Sequence, residues 1–471
     1  MIGYLVGSAT VSRSAVVPGF NYSSYATGTA LHADLIQAAS TGPRVVGADL
    51  AYSASNTNSA GFAATSTVGE LNLNLQPSNV PFAAKKASAR GAGLELGVGS
   101  SLPADAGDVL QLAGEAGQAA PPNAATANVT DLGPIALPPV AYASLLHSEA
   151  RAVDAPLNPC LSTPSSPLSM ARGYAADAQL LNTGADLPDD RFAAPVVATD
   201  DPNPERSVTQ SWSYTYAVPN NFSDSNGLHY GLVTEIHQTY APVTIIRDAV
   251  AGGTLIIEVL GEWVFKTVAT GLPGGSQIFY NVIDPATGQQ VPKTTPILRI
   301  GQGALSTVLD FEAVFGPAGF VLPAALAPLI GLALAEPVRA IAAPGTNPKP
   351  FDSADVTTHP TIAPDGTRTA GAVDVLRLNT LAAIDSLNGG HLEDLRIGHF
   401  ESSITVPTNG FVCEQAVTPT QPTTPTSPPT LPTSTTTTST TSTTALAPTS
   451  STSSTLKPTS TTTPNPPAAP P

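Results

Sequence analysis

Positive charge is what this chain has least of for its size. Its 471 residues hold 19 Lys and Arg against 35 Asp and Glu, and charged residues together make 11% of it. Nucleic-acid binding rests on Lys and Arg neutralising phosphates, so this deficit argues against it, and an anionic membrane is repelled in the same way. Long apolar runs are scarce too. The uncharged stretch Ala313–Ala335 has the length of a span but is broken by Pro317, Pro323, Pro328, Gly316, Gly319 and Gly331. Lipid makes unbroken backbone hydrogen bonding compulsory, so the stretch reads as a short buried helix or apolar lid and no transmembrane span is expected. The opening, MIGYLVGSATVSRSAVVPGF, lacks the charged start and apolar core of a secretory signal. Residues 1–24 read as a poorly ordered start, and an exported chain would begin upstream of Met1.

Cysteine is nearly absent. Cys160 and Cys413 are the only two, and in an exported protein they most simply make one disulfide, with two buried free thiols as the alternative. Such a bond would close a loop of about 250 residues and, on the chain-entropy account, stabilise by roughly 4–5 kcal/mol.

What is present is Pro, Gly, small residues and β-branched residues. From Val417 onward the chain is almost wholly Thr, Ser and Pro, and Lys457 is its one ionisable side chain there, which leaves a body with a net charge near −17. A segment of this kind cannot bury enough apolar area to offset its ordering entropy, so residues 417–471 read as a disordered stalk, stiffened by proline. Its composition is also that of O-glycosylated stalks.

The body reads as antiparallel strand. In SVTQSWSYTYAV, Val208, Trp212, Tyr214, Tyr216 and Val218 fall on one face, expected to point inward, and Ser207, Thr209, Ser211, Ser213 and Thr215 on the other, expected to be wet. In TLIIEVLGEWVFKTVATG, Leu255, Ile257, Val259, Trp263 and Phe265 should face in and Glu258, Glu262 and Lys266 out. The turn GLPGG (271–275) separates that run from SQIFYNVI, the spacing of a sandwich-like fold. A loose repeat of small residues followed by an acidic one recurs in ARGAGLELGV (89–98), EARAVDAPL (149–157) and ARGYAADAQLL (171–181), with GTALHADLI (28–36) and TAGAVDVLRL (369–378) as looser forms. Small residues at alternate positions allow sheets to approach closely, so these read as related strands.

Candidate chemistry is weak, and no GxSxG or HExxH occurs. GQGALS (301–306) lacks the third glycine and the βαβ setting of a phosphate loop, and reads as a turn after a strand. His391, Glu393, Asp394 and His399 lie close in sequence, but residues eight apart on a strand are roughly 26 Å apart, too far to share a metal. Asp189, Asp190, Asp200, Asp201 and Glu205 fall in a Pro-rich loop (187–205) that could take calcium, although no ordered ligand spacing is present. Glu258 and Glu262 would sit roughly 13 Å apart on one strand, beyond the reach of a glycosidase pair. Tyr22, Tyr25 and the Trp212/Tyr214/Tyr216 row are the candidates for a carbohydrate surface. No catalytic, cofactor or metal residue is expected from these patterns.

The segments ATGTALHAD (26–34), ARGAGLELGVG (89–99), EVLGEWVFKTVATGLPGG (258–275), TPILRIGQG (295–303) and IGHFESSITVPTNGFVCE (397–414) resemble exported actinobacterial surface proteins of the choice-of-anchor type, in which one ectodomain precedes varied attachment signals. The resemblance implies export, a β-rich ectodomain and a Thr/Pro stalk, and carries over no site residue.

The expectation is therefore a mainly β, antiparallel sandwich-like ectodomain over 25–416, divisible into 25–200 and 205–416, with one short apolar helix or lid and a disordered tail. It would be a non-enzymatic, extracellular cell-surface protein of structural or adhesive role, with cell-wall glycan or another surface protein as partner. A carbohydrate-binding module is the alternative, and a secreted hydrolase the third.

Overall fold

Every regular element among the described residues is a β-strand, as the wealth of β-branched residues and the period-two patterning require. The computed structural model describes residues 21–37, 44–61, 86–98, 115–121, 123–124, 126–154, 160, 162–182, 191, 195–199, 208–245, 255–284, 287–292, 294–301, 306–310, 361–380 and 391–412. The chain separates into two units, Met1–Val417 and Thr418–Pro471, and all described residues belong to the first. The expected stalk, residues 1–20 of the poorly ordered start expected over 1–24, the apolar lid at Ala313–Ala335, Cys413 and most of the acidic loop lie outside the described residues, whereas a strand already begins at Ser23.

The strands run β1 Ser23–Gln37, β2 Arg44–Asn58, β3 Ala87–Val98, β4 Glu115–Ala120, β5 Asn128–Leu132, β6 Ile135–Leu137, β7 Ala141–Ala143 and β8 Leu145–Ala152. Next come β9 Ser169–Ala176, β10 Gln179–Asn182, β11 Pro195–Ala198, β12 Val208–Asp224, β13 Gly227–Thr239, β14 Val243–Ile245, β15 Leu255–Val259 and β16 Glu262–Ala269. The last are β17 Gln277–Asp284, β18 Gln289–Gln290, β19 Pro296–Ile300, β20 Thr307–Asp310, β21 Thr361–Ile362, β22 Arg368–Thr380, β23 His391–Thr405 and β24 Phe411–Val412.

They form three antiparallel sheets. Sheet A has the order β21-β22-β23-β1-β2-β3-β4, sheet B β18-β17-β16-β13-β12-β9-β8-β5, and sheet C β20-β19-β15-β14-β11-β10-β7-β6. Sheets B and C are two lengths of one layer. The chain passes between them with breaks of only a few residues at 133–134, 144, 177–178, 240–242 and 260–261, where Asp177 and Gly261 take left-handed backbone conformations. Strands from 25–200 and 205–416 share all three sheets, so the expected division into subdomains does not occur: β1 pairs with β23, for instance, over most of its length.

Sheet A packs on both. A kink line crosses it where the pairing passes over Val375, Gly398, Ala30, Ala51 and Gly93, with Ala51 and Gly398 at φ of 53° and 72°. The strand faces reverse there, so Gly28 and Ser53 meet sheet B while Leu31 and Leu50 enter the main core. Three of the recurring segments, those of β1, β3 and β22, contain this line, which gives their small residues a physical meaning.

The two halves differ in their filling. Against sheet C and the adjoining ends of sheet B lies the main core of Leu, Ile, Val and aromatic residues, with Trp263, Phe265, Tyr280 and Phe400 fully buried and in ring contact. Between A and B there is a narrow seam. A Cβ placed on Gly91 would fall 2.1 Å from the Arg172 carbonyl, and one on Gly173 2.1 Å from the Ala92 carbonyl. Glycine, alanine and hydroxyl side chains line its tightest part, and Gln238 crosses it to donate to the His399 carbonyl at 2.9 Å. Ser53 bonds Ser211 at 2.9 Å, Ser402 meets Thr234 at 2.6 Å and Thr267 at 2.7 Å, and Ser169 donates to the Ser88 carbonyl at 2.6 Å.

This seam inverts the expected faces of β12. Thr209, Ser211, Ser213 and Thr215 are buried against sheet A, whereas Trp212 and Tyr214 lie on the outer face of sheet B. The alternation is as expected and its direction is reversed, because rings cannot enter a gap that a single methyl would overfill. In the other run the faces are as expected, with Ile257, Val259, Trp263 and Phe265 buried and Glu258, Glu262 and Lys266 on the partly exposed side. It is two strands, however, and not the expected one, broken at 260–261 between sheets C and B. The side chain of Leu255 lies outside the described residues.

Side chains also close one margin of the sandwich. Thr130 and Asn128 of β5 donate to the Glu115 and Gly117 carbonyls of edge strand β4, which removes acceptors that another chain could pair with.

Candidate functional site

The outer face of sheet B gathers the richest set of polar and aromatic groups. Strict register brings them together, since directly opposed residues share a face. Tyr174 of β9 stands opposite His147 of β8 and Gln210 of β12. Trp212 stands opposite Arg172 and His237, Tyr214 opposite Glu235, and Glu235 opposite Lys266.

The rings stack on one another in a row. His147 and Tyr174 lie with centroids 4.6 Å apart, Trp212 and His237 5.2 Å, His237 and Tyr214 5.4 Å, and Tyr214 and Tyr216 6.1 Å. The Arg172 guanidinium bridges the gap, 5.8 Å from the Tyr174 ring and 5.9 Å from that of Trp212. Cation–π attraction favours that placement.

Glu235 is the hub. It accepts from the Tyr214 hydroxyl at 2.6 Å and the Tyr216 hydroxyl at 2.5 Å, and pairs with Lys266 at 2.5 Å and His237 Nε2 at 3.3 Å. His237 Nδ1 meets Glu262 at 2.6 Å. Burial would raise the Glu235 pKa, but the His237 hydrogen bond, the Lys266 charge and the tyrosine donors outweigh it and hold the carboxyl far below its usual range. Burial would lower that of His237, but the two flanking glutamates raise it. Both tyrosines are pushed well above their ordinary value, by burial first and then by Glu235.

These shifts oppose acid–base work. A general base needs a pKa near the working pH and a proton within reach, whereas Glu235 holds four donors and is a very weak base. The ring faces are spent on neighbouring rings, so the row presents edges outward. The arrangement fits a rivet across β8, β9, β12, β13 and β16 better than a reactive centre.

The same device recurs. His32 faces Asp49 at 2.6 Å, His147 faces Asp131 at 2.5 Å and His399 faces Asp374 at 2.7 Å, each pair directly opposed on neighbouring strands. His229 lies 3.2 Å from Asp224 across the β12–β13 turn. Burial would lower the His399 pKa, but the Asp374 carboxylate, with Glu401 behind it, raises it to about 10.

The remaining candidates scatter. Glu258 lies on β15 and bonds Arg299 at 2.6 Å, while Glu262 lies on β16 and bonds His237. Of the group His391, Glu393, Asp394 and His399, only the last has its side chain among the described residues. Asp189, Asp190, Asp200, Asp201 and Glu205 lie outside them. Tyr22 packs its ring 4.6 Å from that of Phe411, and Tyr25 donates to Glu401 at 2.6 Å, so neither offers an open platform. Cys160 packs beside the cluster of Phe411, Ile404 and Leu168, and its expected partner Cys413 follows the last described residue of β24. Among the described residues no three His, Cys, Asp or Glu side chains are grouped as metal ligands, and no helix is long and apolar enough to cross a membrane.

Sequence reasoning missed Glu235 and His237. The Glu-x-His spacing in LVTEIHQT puts both on one strand face, and that signal was available. No known family, curated protein or solved structure matches this chain.

Proposed function

We propose that this is a non-enzymatic, exported cell-surface protein of the choice-of-anchor kind, presenting a rigid β-sandwich on the Thr/Ser/Pro stalk over 417–471 in a structural or adhesive role. The observation that carries the reading is the state of the sheet B cluster. Its most polar groups are fully engaged with one another, Glu235 by four donors and His237 by two carboxylates, which suits a hard surface rather than turnover. Extracellular placement draws on the tail composition, and cell-wall glycan or another surface protein is the proposed partner. A Cys160–Cys413 bond belongs to the same reading, because Cys160 packs against the cluster that contains Phe411, two residues before Cys413. Surface labelling and fractionation of native cells test it: the protein should be reached by a membrane-impermeant label, and a purely cytosolic pool would overturn the proposal.

The outward turn of Trp212 and Tyr214 favours a second reading, a carbohydrate-binding module. Stacked rings leave edges and polar groups to meet a sugar, so binding would rest on hydrogen bonds at Gln210, Arg172 and Lys266. Pull-down on purified wall glycan decides it: retention lost in Trp212→Ala would support the module, and no retention at any salt concentration would dismiss it.

A further inference from the structure

We propose that residues 406–412, the last described residues of the body, form a load-bearing strap that anchors the chain to both sheets. After β23 ends in sheet A, the chain crosses to sheet B and pairs as β24, with Phe411 opposite Tyr230 and Val412 opposite His229. On the way it is sewn down by backbone bonds: Val406 N–H to the Thr367 carbonyl at 2.8 Å, and Asn409 N–H to the Gly271 carbonyl at 2.8 Å. Gly271 N–H in turn donates to the Gly366 carbonyl at 2.8 Å, which also accepts from the Ser276 hydroxyl at 2.7 Å.

Three turn tips thus interlock, those carrying Gly271, Gly366 and Gly410, each with φ between 74° and 79°. A Cβ on Gly410 would strike the Tyr230 carbonyl at 2.4 Å, one on Gly271 the Gly410 nitrogen at 2.3 Å, and one on Gly366 the Leu272 carbonyl at 2.0 Å. The Asn220 side-chain amide ties the knot, donating to the Asn409 carbonyl at 2.7 Å and the Thr270 carbonyl at 2.8 Å. Phe411 is buried between Tyr22 and Tyr230.

Far more binding is concentrated here than two residues of pairing need. β24 pairs antiparallel with β13, so a pull on the chain beyond Val412 meets these bonds before it reaches β23. Without the strap the same pull would act directly on the end of β23 at Thr405. The biological use of the strap rests on reading 417–471 as a tether, but its mechanics do not.

Single-molecule pulling on the full chain tests it, with one handle at exposed Gln289 and the other at the C-terminus, in reductant so that no disulfide shares the load. The wild type should show no early release. Asn220→Ala should add a first step of about 25 Å, the contour of seven residues, and detach about thirtyfold faster at equal load, as expected for two lost hydrogen bonds. Thr199→Ala, which removes side-chain bonds to Ala178 at the break between sheets B and C, is the control. The proposal is overturned if Asn220→Ala traces match the wild type, or if Thr199→Ala advances the first step as much. Phe411→Leu serves if Asn220→Ala does not fold. A cytosolic location would defeat the tether reading and leave these rupture data standing.

Discussion

Replacing Gly173 by alanine puts the seam between sheets A and B to a quantitative test. Strand propensity alone makes this change favourable by about 0.5–1 kcal/mol, because glycine loses more entropy on folding. The structure predicts the opposite sign. The added methyl would lie 2.1 Å from the Ala92 carbonyl and 2.4 Å from that of Tyr52. Both are backbone atoms in the facing sheet, so no side-chain rotation relieves the contact. Reaching ordinary van der Waals separation requires the sheets to part locally by about 1 Å. Ser211 stands directly opposite Gly173 and bonds Ser53 across the seam, and nearby Ser169 bonds the Ser88 carbonyl. Those bonds would stretch beyond useful length. Two buried hydrogen bonds at about 1 kcal/mol each, together with overpacking, give a loss of about 3 kcal/mol. Urea unfolding with an unchanged m value measures it, against Gly133→Ala, where no atom lies within 4 Å of the new methyl. If Gly173→Ala proves neutral or stabilising while Gly133→Ala behaves alike, the narrow seam is not real.

Three further outcomes are expected. His399 has its pKa raised to about 10, so its stabilising charge is fully present below the unfolded value near 6.5 and is lost as pH rises towards 10. His237 shifts in the same direction. Urea midpoints should therefore fall between pH 6.5 and 10, and His399→Gln should flatten that slope; an unchanged slope in the variant removes His399 as its source. Tyr214→Phe should cost about 1–2 kcal/mol by taking a donor from Glu235 and an acceptor from His237, and ultraviolet titration should find Tyr214 and Tyr216 still protonated at about pH 11, where an ordinary tyrosine has ionised. Thiol labelling before and after reduction should find no free thiol in the native protein, and reduction should cost roughly 4–5 kcal/mol; two labelled cysteines at the outset would end the disulfide proposal.

The sequence was enough to read the β class, the alternation along β12 and β16, and the turn at 271–275. These follow from local preferences: β-branched residues at period two make strands, and glycine beside proline makes turns. The recurring small residues were legible as a sign of close approach, and Gly91 and Gly173 do meet the facing sheet. What alternation could not say is which side of β12 is the inside. A strand of Ser and Thr against Trp and Tyr offers two faces, and the choice depends on the size of the residues waiting opposite. Gly28, Ser53 and Ser55 leave a gap that hydroxyls fill and rings cannot, so the polar face went in.

The sheet B cluster was decided entirely by long-range register. Glu235 and His237 come from one strand, but Tyr214, Lys266 and Glu262 come from two others, and only pairing across β12, β13 and β16 sets four donors around one carboxylate. The same holds for the strap, where three turns distant in sequence interlock because β21, β23 and β16 end at one place. Composition determined that this chain would fold as sheet and end in a Thr/Ser/Pro segment. The packing of one sheet on another determined which surface it shows, because burial is settled by what two faces can share rather than by either alone.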